Sequence, residues 1–94
     1  MKFFLERVDN FVAEEYEDGT SVLLDSESGM VHLLNTTANL LYKLCESKVG
    51  KEDLFRNFLS KIDLNGCEVS IDEIRSDFEH VIKEFIDVGI IVQT

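Results

Sequence analysis

The sequence predicts an α+β domain in which a three-stranded antiparallel meander is followed by three helices. Short β-prone runs separated by turn signals occupy the first third of the chain. From Asn35 onward the apolar residues follow helical spacing, and capping signals divide this part into three segments. No Pro, repeat or low-complexity linker interrupts the 94 residues, so we expect one domain over residues 1–94.

The first two strands are predicted over residues 11–16 and 20–25. Glu17-Asp18-Gly19 lies between them, and Asp-Gly is a strong hairpin signal because both positions tolerate positive φ. A polar segment that ends at Gly29 then predicts a longer hairpin loop, followed by a third strand over residues 30–34. The third strand would leave one edge unpaired unless another element covers it.

The first two helices have distinct start signals. Asn35 or Thr36 is predicted to cap the first helix, which we expect to end near Ser47. Gly50 is an acceptable N-cap for the second helix, and Val49 and Leu54 have the spacing of a hydrophobic staple around it. The second helix is expected to stop before Asn65-Gly66.

The third helix has the clearest boundaries. Ser70 and Glu73 form an S-x-x-E capping box, and Val69 and Ile74 have staple spacing. The helix is predicted to run to Val88, with Gly89 as the C′ residue. Ile90-Ile91-Val92 is predicted to form a short extended tail.

The apolar face of the third helix is broader on one side. At about 100° per residue, a narrow stripe is expected to face the core: Ile74, Phe78, Val81, Phe85 and Val88. Ile82 and Ile86 widen that face on the flank bordered by Arg75 and Glu79, whereas Asp77, His80 and Glu84 lie on the opposite flank. Broad apolar stripes usually pack inside the core. The alternative is that the widened flank faces the free edge of the third strand and forms a groove for an extended peptide.

Charge and composition exclude several function classes. The formal net charge of -10 would repel nucleic acid phosphates and anionic lipid headgroups. Glu6, Arg7 and Asp9 interrupt the apolar start of the chain, so we predict neither a signal peptide nor a membrane span, and we expect a cytoplasmic protein.

No reactive constellation is apparent in the sequence. Cys45 and Cys67 lack CxxC spacing, so zinc and redox roles are not indicated and two reduced thiols are expected. His32 and His80 are isolated, and no triad, metal or phosphate-loop motif accompanies them. We therefore expect a protein that is not an enzyme and binds no cofactor.

Several features in order resemble the PqqD-like family, the RiPP recognition elements. They are the turn ending at Gly29, the VHLLNTTA run over residues 31–38, a Leu-rich helix, and a closing Asp-Phe, Val, Phe and Gly-Ile-Ile pattern over residues 77–91. The resemblance covers residues 11–92, and the first ten residues and the polar connection over residues 63–69 depart from it. It implies a winged-helix-like domain that binds the leader segment of a ribosomally synthesised precursor peptide, usually as an added antiparallel strand.

The resemblance also implies partners and site residues. Family members present the bound precursor to a separate modifying enzyme, such as a radical SAM protein or, in lasso-peptide pathways, a leader protease. The docking edge would be Met30, Val31, His32, Leu33 and Leu34. The helical wheel supplies our choice of groove wall: Arg75, Phe78, Glu79, Ile82 and Ile86.

Two other binding functions remain open at this stage. A winged-helix DNA-binding regulator would insert a helix into the major groove, but the third helix has only Arg75 and Lys83 as cations beside six acidic residues. An oligomerising adaptor would use the open strand edge to pair with another copy of the chain.

Overall fold

The computed structural model describes residues 4–62 and 70–93. In these residues the chain forms an α+β domain of two three-stranded antiparallel sheets and three helices, which confirms the predicted α+β class. The predicted order of three strands followed by three helices is incomplete, because a second sheet includes strands before, between and after the predicted elements. The elements in chain order are β1 (Phe4–Arg7), β2 (Phe11–Glu15), β3 (Ser21–Asp25), β4 (Val31–Leu34), α1 (Thr36–Leu44), β5 (Val49–Gly50), α2 (Lys51–Lys61), α3 (Ile71–Asp87) and β6 (Ile91–Gln93).

The first sheet has the strand order β2-β3-β4, and each neighbouring pair is antiparallel. Gly19 (φ +87°) and Gly29 (φ +76°) lie in the two connecting turns. Both adopt the left-handed conformation that side chains with a Cβ disfavour. Asp25 holds the second turn, because its Oδ1 accepts hydrogen bonds from the backbone N–H of Glu27 (2.9 Å) and Ser28 (3.3 Å).

The second sheet has the order β5-β1-β6, with β1 in the centre. β1 and β5 were not predicted from the sequence, since strands of four and two residues are too short to show a clear alternation. The expected extended tail forms β6, which pairs with β1 so that Ile91 lies opposite Arg7. Leu5 and Ile91 are buried, and this sheet therefore contributes to the core.

The helix starts follow the predicted capping signals. Asn35 Oδ1 accepts a hydrogen bond from the Ala38 N–H (2.8 Å), and Ser70 Oγ accepts one from the Glu73 N–H (3.2 Å). Gly50 is the N-cap of α2. At the ends of the helices, α1 stops at Leu44, three residues before the expected Ser47, and α3 is followed by Gly89 in the left-handed region (φ +82°). The predicted Val69 staple partner and Cys67 lie outside the described residues.

One hydrophobic core joins both sheets and all three helices. Phe78 of α3 is fully buried, and its ring is 5.0 Å from that of Phe55 in an edge-to-face arrangement. The same cluster includes Leu5 of β1, Leu23 of β3 and Leu41 of α1. The position of β4 relative to α3 is thus fixed by packing on shared core residues. No helix in the described part of the chain is long and apolar enough to cross a membrane.

Candidate functional site

β4 is an edge strand within the described residues. It pairs with β3 on one side, with Leu33 opposite Val22 and His32 opposite Leu23. The Asp25 N–H donates to the Met30 carbonyl (2.9 Å). Because hydrogen-bonded and non-hydrogen-bonded pairs alternate along an antiparallel ladder, His32 and Leu34 direct their backbone groups toward β3. The N–H and C=O groups of Val31 and Leu33 therefore point to the free edge.

A groove of about 750 Å³ lies between β4 and α3, and we call it the β4–α3 groove. The buried residues that line it are all apolar, and we call them the floor of the groove: Leu34, Ala38, Phe85 and Ile90. Val81 and the half-exposed Val88 extend this apolar surface along α3. The groove thus places an apolar surface beside the free backbone groups of β4.

The side chains of Val31 and Leu33 lie on the outer face of the first sheet, away from the core. Val31 lies opposite Leu24, which in turn lies opposite Val12, and these three side chains form an exposed apolar row. Leu33 is 80% exposed, the largest value among the exposed large hydrophobic residues of the described chain. His32 and Leu34 alternate to the inner face, which faces the groove.

The five residues predicted as a docking edge are brought together by β4. Val31, His32, Leu33 and Leu34 form the strand and line the β4–α3 groove. Met30 directly precedes the strand, is 60% exposed, and pairs with β3 through its carbonyl.

The residues chosen from the helical wheel are not brought to β4. Phe78 has no exposed surface and belongs to the core. Arg75 bridges α3 to α2 through an ion pair with Glu52 and also pairs with Glu79 on its own helix, while Glu79 pairs with Lys51 of α2. The guanidinium of Arg75 lies 4.5 Å from the ring centre of Phe55. The pKa of Glu52 is lowered because Arg75 donates hydrogen bonds to it. These contacts assign Arg75 and Glu79 a structural position between the two helices.

Ile82 and Ile86 also lie away from the β4–α3 groove. Ile82 is 3% exposed within the core cluster that contains Leu5, Ile90 and Ile91, and Ile86 packs against that cluster. The physical reason is the second sheet, which the sequence did not reveal and which adds apolar partners to the core. The buried stripe of α3 is consequently Ile74, Phe78, Ile82 and Phe85.

The groove side of α3 is the flank that the wheel assigned to polar residues. His80, Glu84 and Asp87 line the groove together with Val81 and Val88. Val81 and Val88 were expected in the core stripe; Val81 is partly buried and packs against the core, whereas Val88 is 51% exposed. The apolar residues Phe3, Phe4 and Leu5, ahead of the first predicted strand, were the signal that could have indicated a further core partner.

The surface of the β4–α3 groove carries negative charge. Glu84 and Asp87 are exposed lining residues, and none of the described residues that line the groove is Lys or Arg. His80 Nε2 lies 3.1 Å from Glu84 Oε1. The last turn of α3 has no basic residue, so the negative end of the helix dipole adds to the field of the two carboxylates.

The described residues contain no group of three or more His, Cys, Asp or Glu side chains placed to hold a metal ion. Cys45 is buried at the end of α1, and burial raises the pKa of its thiol to about 11. A thiol with a raised pKa is a poor nucleophile at neutral pH, because the thiolate is the reactive form.

The chain was compared with protein-family models, with curated proteins and with solved structures, and none of these comparisons found a match.

Proposed function

We propose that this protein binds an extended peptide as an added antiparallel strand on the free edge of β4, and that the peptide is the leader segment of a ribosomally synthesised precursor. The observation that carries the proposal is the outward backbone of Val31 and Leu33 beside the apolar floor of the β4–α3 groove. Strand addition needs both features, since main-chain hydrogen bonds supply affinity and side-chain pockets supply specificity.

The leader assignment rests on the resemblance to RiPP recognition elements, in which the equivalent strand and helix hold the peptide. In this proposal the domain is winged-helix-like, has no catalytic activity of its own, and works in the cytoplasm. It presents the precursor to a separate modifying enzyme, such as a radical SAM protein or a leader protease.

The groove itself supports an occupant of peptide size. The groove has a volume of about 750 Å³, which falls within the range of about 300–1,000 Å³ typical of small-molecule sites. It differs from such sites because strand backbone bounds it along one side. A small molecule would leave those donors and acceptors without protein partners, whereas a peptide strand would pair them.

Charge weighs against the DNA-binding alternative. A winged-helix regulator requires cations along its reading helix, and the groove side of α3 instead carries Glu84 and Asp87. Phosphate groups would be repelled from this surface.

Self-pairing is the second candidate function, and the exposed apolar row of Val12, Leu24 and Val31 favours it. Two β4 edges could join into a six-stranded sheet with a continuous apolar outer face. Light scattering after size exclusion distinguishes the two candidates. Peptide capture predicts a monomer at high protein concentration, and a stable dimer would favour the adaptor.

The test is calorimetric titration of leader peptides from precursor genes found beside the gene for this protein. The proposal predicts saturable binding with a stoichiometry of one peptide per chain. Binding should fall sharply in the Leu33→Pro variant, which lacks one outward N–H donor. The matched control is Leu33→Ala, which keeps the donor and removes only an exposed side chain. Equal affinity for both folded variants would contradict strand addition.

A further inference from the structure

We infer that the β4–α3 groove selects peptides with a basic side chain next to an apolar one on the same face of the added strand. This inference rests on the proposed function, because it concerns which peptide the groove accepts. The basic side chain would lie against Glu84 and Asp87, and the apolar side chain would contact the floor formed by Leu34 and Phe85.

The strand register determines which peptide residues face the groove. Peptide residues that exchange hydrogen bonds with Val31 and Leu33 direct their side chains to the outer face of the sheet, as Val31 and Leu33 do. The residues between them, opposite His32 and Leu34, direct their side chains into the groove. Two residues that both face the groove are therefore separated by one residue along the peptide.

The chemistry of the groove is different at its floor and along α3. The floor consists of buried apolar side chains and has no charge of its own. Along α3 the charged lining residues are Glu84 and Asp87, at the carboxyl end of a 17-residue helix. Both the carboxylates and the helix dipole stabilise a cation at this end.

Local charge compensation does not remove this preference. His80 is the one described groove residue within ion-pair distance of Glu84, and His32 is the other described imidazole of the lining. None of the described residues that line the groove is Lys or Arg. The groove therefore retains negative charge, and an acidic peptide would be repelled from it.

The expected effect is moderate because the carboxylates are exposed. The Glu84 side chain is 64% exposed, and an ion pair with an exposed partner is screened by water and salt. Removal of both carboxylates should weaken binding of a basic peptide by about threefold to tenfold at low salt. The difference should shrink as the salt concentration rises.

The experiment begins with selection from a random-sequence peptide library displayed on messenger RNA, with the whole chain as bait. The expected binders are enriched in Lys or Arg separated by one residue from an aliphatic or aromatic residue. The selected peptides could bind the Leu33→Pro variant more weakly than the wild type and yet show no enrichment in basic residues. That result would overturn this inference and leave the proposed function standing. A library with no binder that depends on Leu33 would overturn both.

A double-mutant cycle then locates the charge effect. One selected basic peptide, and the same peptide with Met in place of its basic residue, are titrated into the wild type and into the double variant Glu84→Gln, Asp87→Asn. The basic peptide should lose affinity for the double variant, and the Met peptide should bind both proteins alike. The control is Glu17→Gln with Glu46→Gln, which changes the net charge equally at exposed positions outside the groove. An equal loss in the control would attribute the effect to net charge and overturn the inference.

Discussion

The side-chain amide of Asn39 on α1 donates a hydrogen bond to the carbonyl of Gly19 in the β2–β3 turn, with an N···O distance of 2.8 Å. The same amide donates to Glu15 Oε2 at 2.9 Å, and Glu15 also forms an ion pair with Lys43. All three contacts connect the first sheet to α1, the helix that follows β4. Asn39 is 5% exposed, so its buried amide depends on these two partly buried hydrogen bonds, which help to fix the sheet against α1.

Replacement of Asn39 by Ala should destabilise the domain by about 1–3 kcal/mol, because the Gly19 carbonyl would lose its buried partner. Chemical denaturation monitored by circular dichroism measures this change. Asn57→Ala is the matched control, since Asn57 is exposed on α2 and Ala favours the helix. Equal stabilities for the two variants would show that the Asn39 bonds do not hold the sheet.

The burial of Ile82 gives a second prediction. Ile82→Ala should cost about 2–5 kcal/mol, the range for loss of a buried aliphatic side chain. Ile71→Ala changes the same residue type on the same helix at a position that is 61% exposed, and it should alter the free energy of unfolding by less than about 0.5 kcal/mol. Thermal and urea denaturation of both variants make the comparison. A neutral Ile82→Ala variant would mean that α3 is rotated so that this flank faces solvent.

The register of β4 predicts different effects of Pro at adjacent positions. At Leu33 the N–H points to the free edge, so Leu33→Pro removes no bond to β3 and the variant should fold. At His32 the N–H is directed to β3, and His32→Pro removes a ladder bond and leaves an acceptor on β3 unpaired. His32→Pro should therefore be less stable than Leu33→Pro by about 1–3 kcal/mol, measured by urea denaturation. The reverse order would contradict the assigned register.

Stability at low pH depends on Asp25. Hydrogen bonds from the Glu27 backbone, Ser28 and Asn10 lower the pKa of Asp25 from 3.8 to about 2. A folded-state pKa below the unfolded value means that the unfolded chain binds the proton more readily, so this contribution to stability is present above about pH 4 and is lost as the pH falls toward 2. Urea denaturation from pH 5 to pH 2 should show a weaker pH dependence for Asp25→Asn than for the wild type. An unchanged dependence would mean that the turn before β4 does not rely on the carboxylate.

Local signals in the sequence predicted the first sheet and the helix starts well. Asp18-Gly19 and Gly29 mark turns whose backbone requires positive φ, and Asn35 and Ser70 have side chains that cap the helices they precede. Such signals act within a few residues, so they are readable without knowledge of the tertiary fold.

The face of α3 was not predictable in the same way. A helical wheel ranks apolar positions but does not reveal which neighbours a helix has. Leu5 and Ile91 come from opposite ends of the chain and meet only through β1 and β6. Ile82 belongs to the core cluster that contains Leu5 and Ile91, whereas Val81 and Val88 line the groove beside β4. The groove side of α3 is therefore the flank of His80 and Glu84, and not the predicted flank of Arg75 and Glu79.

Amide hydrogen exchange, followed residue by residue with and without a bound peptide, tests the central claim most directly. Strand addition on β4 predicts that the Val31 and Leu33 amides, which point to the free edge, become protected when the peptide binds. The His32 amide, already directed to β3, should change much less. Protection at Val31 and Leu33 that alternates in this way would support the account. Peptide binding that leaves both of these amides exchanging at their free rates would contradict it.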